Sequence, residues 1–296
     1  MSDSPAATDP RSLVDGLVRL LDVEEIDTDL FRGPPLPGGV GRVFGGQVIA
    51  QALQAAQRST EAPKIAHSLH AYFMRPGSEG HPIIFRVVRD FDGRSFATRR
   101  VIAMQKGVPI LSLTASFQAP EDGLHHQDAM PDVPAPEALE DERILRERHI
   151  DVVPEQHRAF ILRPRPVELR PVSGLPWFVR HQPTSSQAVW FRLAAPIGPA
   201  DPAMHRAILA YTSDMFLLGT ASLPHGVSWM THKMQGASLD HAVWLHEDFS
   251  VDDWLLYATD SPWAGHARGF NRGQIFNRVG RLVASCAQEG LMRLRD

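Results

Sequence analysis

Leu111, Leu113, Ala115 and Phe117 alternate with Ser112, Thr114, Ser116 and Gln118. A two-residue period of apolar and polar side chains predicts a strand with one buried face. The same period places Leu282, Ala284, Cys286 and Gln288 on one side of a later strand, and Val283, Ser285, Ala287 and Glu289 on the other. Val48 to Ala56 (VIAQALQAA) is instead rich in helix formers and small residues, and Met215 to Ala221 (MFLLGTA) is apolar nearly all round. Both predict buried helices.

These elements recur in order. FGGQVIAQALQAAQ (Phe44 to Gln57), HSLHAYFMRP (His67 to Pro76), HPIIFRVVRD (His81 to Asp90), RSFATRRVIAMQKG (Arg94 to Gly107) and PILSLTASFQ (Pro109 to Gln118) are answered by YTSDMFLLGTAS (Tyr211 to Ser222), SLDHAVWLHE (Ser238 to Glu247), DWLLYATD (Asp253 to Asp260), HARGFNRGQIFNRVG (His266 to Gly280) and RLVASCAQEG (Arg281 to Gly290). Pairing Gln47 with Asp214, His70 with His241 and Gly107 with Gly280 gives offsets of 167, 171 and 173, near enough to constant to argue for duplication. One buried helix followed by long antiparallel strands, repeated once, is the order of an α+β double hotdog, a sheet wrapped around a central helix. The expected boundaries are 12–120 for the first repeat, 121–165 for a linker and 166–296 for the second repeat. The linker is interrupted by Pro131, Pro134, Pro136, Pro154 and Pro164, although Glu137 to Ile150 has helical composition.

Composition narrows the functional classes. With 296 residues, 43% hydrophobic and 22% charged, the chain matches an ordinary globular protein and not a disordered or fibrous one. A net charge of -4 argues against a nucleic-acid partner. No run of about 18 apolar residues predicts a membrane span. Met1 to Pro10 does not resemble a secretory signal, and Leu294, Arg295 and Asp296 do not form a peroxisomal address. The single cysteine, Cys286, fits a reducing, cytoplasmic location.

Asp214 stands before MFLLGTAS, either as a helix cap or as a desolvated carboxylate with chemistry to do. The neutral Gln47 at the matching place in the first repeat favours the second reading. Gln288 follows small apolar residues inward, as a satisfied buried amide or a functional one. Ser238 precedes a strand and is equally a turn former. A nucleophilic Ser238 with His241 as base lacks the second glycine of a nucleophile elbow, and Cys286 in an apolar strand reads as inert. His67, His70, His125, His126, His225, His232, His241 and His246 form no H-E-x-x-H motif, so no metal is expected. Gly38-Gly39 and Gly45-Gly46 match no phosphate loop.

The motifs LFRG (Leu30 to Gly33), VFGGQV (Val43 to Val48), HSLHAYFMRPG (His67 to Gly77), RSFATRRV (Arg94 to Val101), TASFQAPE (Thr114 to Glu121), YTSDMFLL (Tyr211 to Leu218), LDHAVWLH (Leu239 to His246), ARGF (Ala267 to Phe270) and VASCAQEGLMR (Val283 to Arg293) resemble the type II acyl-CoA thioesterases, the TesB-like double-hotdog family. The resemblance runs from about Leu13 to Arg293. It implies hydrolysis of an acyl-CoA to CoA and a carboxylic acid, with no covalent acyl-enzyme and no cofactor. Asp214, Ser238 and Gln288 would position a water; the middle residue is typically threonine in the family and is serine here. Gly45 and Gly46 would bring backbone N–H groups to the oxyanion. Phe73, Met215, Phe216 and Trp244 are candidate acyl-pocket or core residues. Arg99, Arg100, Arg268 and Arg272 are candidate partners for the CoA phosphates or solvent-facing strand charges. Homodimers or dimers of dimers are implied. The alternatives are a non-hydrolytic acyl-CoA binding protein and a hotdog hydratase, whose Asp-x4-His pattern would need histidine where Gly219 stands.

Overall fold

In the computed structural model, the residues described are 9–39, 41–176, 178, 183–198, 201–230 and 232–295. Met1 to Thr8 of the N-terminal stretch and Asp296 lie outside them. The chain runs α1 (Pro10–Leu21), β1 (Glu24–Asp27), β2 (Leu30–Gly33), α2 (Gly45–Arg58), β3 (Ile65–Phe73), β4 (Ile83–Asp92), β5 (Phe96–Gln105) and β6 (Val108–Gln118). It continues through α3 (Glu142–Arg148), α4 (Glu155–Leu162), β7 (Val167–Pro171), β8 (Ser186–Leu193), α5 (Pro202–Ser213), α6 (Leu217–Thr220), β9 (Met234–Ser238), β10 (Asp240–Leu245), β11 (Leu255–Gly265), β12 (Arg268–Asn277) and β13 (Leu282–Leu294).

All the strands join one antiparallel sheet in the order β1-β2-β4-β5-β6-β3-β10-β13-β12-β11-β8-β7, with β9 paired to β13. The order is a palindrome of the two repeats, closed at the centre by β3 against β10. Pairing registers fix the correspondence: Leu69 opposes Ala115 and Arg99 opposes Ala115 in the first half, as Asn271 opposes Gln288 in the second. Likewise Ala71 opposes Leu113 as Val243 opposes Cys286. Leu69 thus matches His241, Phe85 matches Tyr257 and Arg99 matches Asn271, each 172 positions on, while Ala115 matches Gln288 at 173. The pairing of His70 with His241 is corrected by one residue. His70 is exposed on the outside of the sheet and His241 is fully buried inside, because a one-residue slip exchanges the two faces of a strand. Gly107 and Gly280 both take positive φ (76° and 82°) in the turns that follow matching strands, as that pairing requires.

Leu111, Leu113, Ala115 and Phe117 are buried as their period predicts, beneath α2. The second helix departs from expectation. The long buried helix is α5, and the expected Met215 to Ala221 helix is reduced to the single turn of α6, which covers β11, β12 and β13 as α2 covers β4, β5 and β6. The break coincides with a tertiary contact: the Tyr257 hydroxyl donates to the Ser213 carbonyl at 2.8 Å, and Met215 N–H bonds the Thr212 carbonyl at 3.0 Å in a tight turn.

Residues 121–165 carry α3 and α4 and pack on the second half. Pro134 accepts the Trp190 indole N–H at 2.9 Å, Gln127 donates to the Gly280 carbonyl at 2.8 Å and Glu137 pairs with Arg278 at 2.7 Å.

Candidate active site

Asp214 sits where three elements meet. It caps the C-terminal end of α5 and does not begin a long helix, so its own helix dipole disfavours the negative charge. Its carboxylate reaches across to the first half, where the Gly46 N–H at the N-terminal end of α2 donates to it. Both glycines are required by this approach. A Cβ on Gly45 would lie 2.7 Å from Asp214 Oδ2 and 2.9 Å from the Phe73 ring, and one on Gly46 would collide with the Tyr211 carbonyl. The first repeat thus supplies a helix N-terminus to an acid carried by the second.

Two side chains complete the coordination of the carboxylate. Gln288 Nε2 donates to Asp214 Oδ1 at 2.7 Å, and the Ser238 hydroxyl also hydrogen-bonds to the carboxylate. Ser238 ends β9, opposite Gly290 of β13, and Gln288 lies two residues earlier on the inward face of β13. Burial raises the Asp214 pKa to about 6, against the lowering by the hydrogen bonds from Gln288, Gly46 and Ser238. The structure therefore brings Asp214, Ser238, Gln288, Gly45 and Gly46 together.

Behind Gln288 lies a buried polar layer. Its Nε2 also donates to His241 Nδ1 at 3.1 Å, and His241 Nε2 meets Ser213 Oγ at 2.8 Å. Burial pushes the His241 pKa down to about 3, so the ring is neutral and its 3.9 Å approach to Asp214 is not an ion pair. Tyr257 shares its hydroxyl with Cys286 Sγ at 3.0 Å, and burial pushes that thiol up to about 12, far from thiolate chemistry. The Asn271 amide donates to the Gln288 carbonyl at 3.4 Å. Among the described residues Gln288 Oε1 is buried without a hydrogen-bond partner. By sequence His241 is a candidate only as a base for Ser238 or a metal ligand, and neither Tyr257 nor Asn271 is singled out, although His241 occupies the inward parity of its strand.

The arginines do not gather here. Arg99, a candidate partner for the CoA phosphates, is 1% exposed, and its guanidinium donates to the carbonyls of Ser59, Phe91 and Thr98 and to Asp92. It closes the C-terminal end of α2, about 20 Å of helix away from Gly46 at 1.5 Å per residue. Its inward position follows from strand parity, with Ala97 and Val101 buried beside it. Arg100 pairs with Asp90 at 3.0 Å and Arg272 with Asp260 at 3.1 Å, both as exposed pairs. Arg268 pairs with Glu289 at 2.8 Å, next to Gly269, which opposes Gly290. Phe73 lies against Gly45, and Phe216 lines a small cleft with Pro171, Pro176, Gln187 and Val189. Trp244, by contrast, stands on the outside of the sheet in an edge-on contact with His70 at 5.0 Å.

Residues 34–118 match a family model described as the acyl-CoA thioesterase N-terminal domain, and residues 129–292 match one for the C-terminal domain. The chain is 40% identical over 283 residues to human acyl-coenzyme A thioesterase 8, covering 93% of this chain and 88% of the relative. It is 38% identical to acyl-CoA thioesterase 2 of Haemophilus influenzae, covering 96% and 99%. The crystal structure of an acyl-CoA thioesterase II, TesB2, from Mycobacterium marinum superposes with a TM-score of 0.76 at 38% identity, covering 94% and 98%.

Proposed function

Because the chain belongs to the acyl-CoA thioesterase family and hydrolyses acyl-CoA, we propose that Asp214 is the general base for a water held by Gln288 and aided by Ser238. The observation that carries this reading is the buried Gln288 Oε1, an acceptor with no partner among the described residues, on the amide that grips the Asp214 carboxylate. A buried carbonyl oxygen calls for a donor. A water donating one proton to it and the other to Asp214 aims a lone pair at the thioester carbon. Attack forms the C–O bond as Asp214 takes the proton, and collapse of the tetrahedral intermediate breaks the C–S bond as that proton passes to the departing sulfur. Gly46 N–H serves Asp214, so the oxyanion falls to the N–H of Gly45, which as the first residue of α2 has no intrahelical acceptor.

Phe73, which lies against Gly45, and Phe216, two residues from the base, are the apolar side chains proposed to meet the acyl chain. For the CoA phosphates the observations favour Arg268 over Arg100 and Arg272, and the buried Arg99 does not reach them. The chemistry needs no cofactor beyond the CoA of the substrate. A cytoplasmic enzyme of fatty-acid metabolism, assembled as homodimers or dimers of dimers, is the accompanying proposal, supported by the lone buried cysteine and by the exposed Tyr72 and Trp244 on the central strands. Fractionation and sedimentation velocity check it.

Thiol release from a panel of acyl-CoAs tests the mechanism. Because the ionised carboxylate is the active form, kcat/KM should fall about tenfold per pH unit below a limb near pH 6. A flat profile through that region would remove Asp214 as base. Ser238→Thr keeps the hydroxyl and restricts its rotamer, so kcat should stay within about threefold of the parent or rise. A loss of a hundredfold would show that the pocket is adapted to serine.

A further inference from the structure

We infer that His241 is a positioning residue that, with Ser213, holds the Gln288 side-chain amide in the one orientation that turns its oxygen to the water; the inference rests on the thioesterase mechanism above. One assignment of hydrogens satisfies every contact along this chain. With the Ser213 hydroxyl donating to the Ala210 carbonyl at 2.9 Å, its oxygen is left to accept from His241 Nε2 at 2.8 Å. Nε2 therefore carries the ring proton, and Nδ1 of the neutral ring presents a lone pair 3.1 Å from the Gln288 amide nitrogen. Asp214 Oδ1 presents another at 2.7 Å. Two acceptors converge on one corner of the amide, which must be its NH2, and Oε1 is forced to the other corner. Asp214 alone would enforce this only while ionised. Protonated, it could donate to a flipped Oε1, and with its pKa raised to about 6 that form is within reach of neutral pH.

The internal repeat supplies an independent argument. The inward positions that carry His241, Tyr257 and Gln288 carry Leu69, Phe85 and Ala115 in the first half, all buried. The first half folds with apolar side chains at these three positions, so His241, Tyr257 and Gln288 are not a requirement of the fold, and burying them without need would be costly. The hydroxyl of Tyr257 holds the backbone of the same serine, donating to the Ser213 carbonyl at 2.8 Å.

The test compares His241→Leu, His241→Asn and Ser213→Ala with the parent enzyme, using thiol release across pH and thermal melting. His241→Leu removes the Nδ1 acceptor and is expected to lower kcat about thirtyfold with KM within about threefold, and to move the acid limb upward, because a flipped amide stabilises protonated Asp214. Other titratable groups facing this corner are Tyr211, Tyr257 and Cys286, all held neutral through the range by burial. His241→Asn offers a carbonyl where Nδ1 stood and should recover kcat to within about fivefold of the parent. A merely structural role predicts the reverse order, since a small polar side chain packs worse than leucine in a buried slot. The inference is overturned if Asn is no more active than Leu, or if Leu retains parental kcat and acid limb. Should His241→Leu fail to fold, Ser213→Ala decides: release of the ring tautomer must raise the acid limb, and an unmoved limb overturns the inference. A parent enzyme that releases no thiol would instead refute the thioesterase mechanism, and a 15N spectrum showing histidine protonated at Nδ1 would refute the positioning role even then.

Discussion

Asp214→Asn should lower kcat by about a thousandfold, the scale of a lost general base, while the folded protein becomes no less stable at pH 8. The two effects share one cause. Desolvation raises the Asp214 pKa from 3.8 to about 6, so the native fold prefers the protonated acid. Its contribution to stability is fully present below about pH 4, the unfolded value, and is lost as pH rises through about 6. Above that, the ionised side chain costs about 3 kcal/mol relative to a group with an unshifted pKa. Asparagine keeps one acceptor oxygen for these donors and carries no charge to desolvate. Calorimetric Tm measured from pH 4 to 8 should therefore show the variant gaining on the parent as pH rises, by several degrees at the alkaline end. A variant with parental turnover would end the base assignment. A Tm difference that is constant with pH would mean that Asp214 is not ionising in a desolvated site.

Gln288→Ala is expected to lose about a hundredfold in kcat, because the water loses its acceptor and the base loses its 2.7 Å donor together. The second loss has a signature. The Gln288 hydrogen bond lowers the Asp214 pKa, so the acid limb of the variant should rise above the parental value near 6. Turnover reduced at every pH with the limb unmoved would separate the water from the carboxylate and leave Gln288 with only the first role. Melting curves are needed beside the kinetics, since truncating a buried side chain leaves a cavity and strands the His241 acceptor.

The comparison of repeats shows where sequence reasoning reached and where it stopped. Strand parity was sufficient for Leu111, Leu113, Ala115 and Phe117, and applied to Ala97, Arg99 and Val101 it would also have placed Arg99 inside. It was sufficient for Gln288 because β13 alternates from Ala284 onward, although at its start Leu282 leaves the inward face and Val283 is buried beside Ala284. It failed for His241 because the two histidines of the matched segments, His70 and His241, looked like equivalents, and identity of residue type outweighed parity. The break after Ser213 had no local signal: YTSDMFLL contains neither proline nor glycine, and the Tyr257 hydroxyl that bonds the backbone there lies 44 residues away in sequence. Gly45 and Gly46 were legible as places of close backbone approach, but what approaches them was not, since Asp214 and Tyr211 arrive from the other repeat.

By itself the sequence determined the duplicated α+β architecture, because periodicity is a local property of the chain, and its motifs named the candidate residues around Asp214 through their resemblance to the TesB-like family. The tertiary structure alone decided that the acid of one repeat is held by the helix start of the other. It also decided that Arg99 belongs to the far end of that helix, and that a neutral histidine stands behind the glutamine. Those outcomes depend on which buried groups meet across the β3 and β10 seam and between α2 and α5. Desolvation and hydrogen-bond geometry act between such neighbours in space, over separations that no pattern along the chain records.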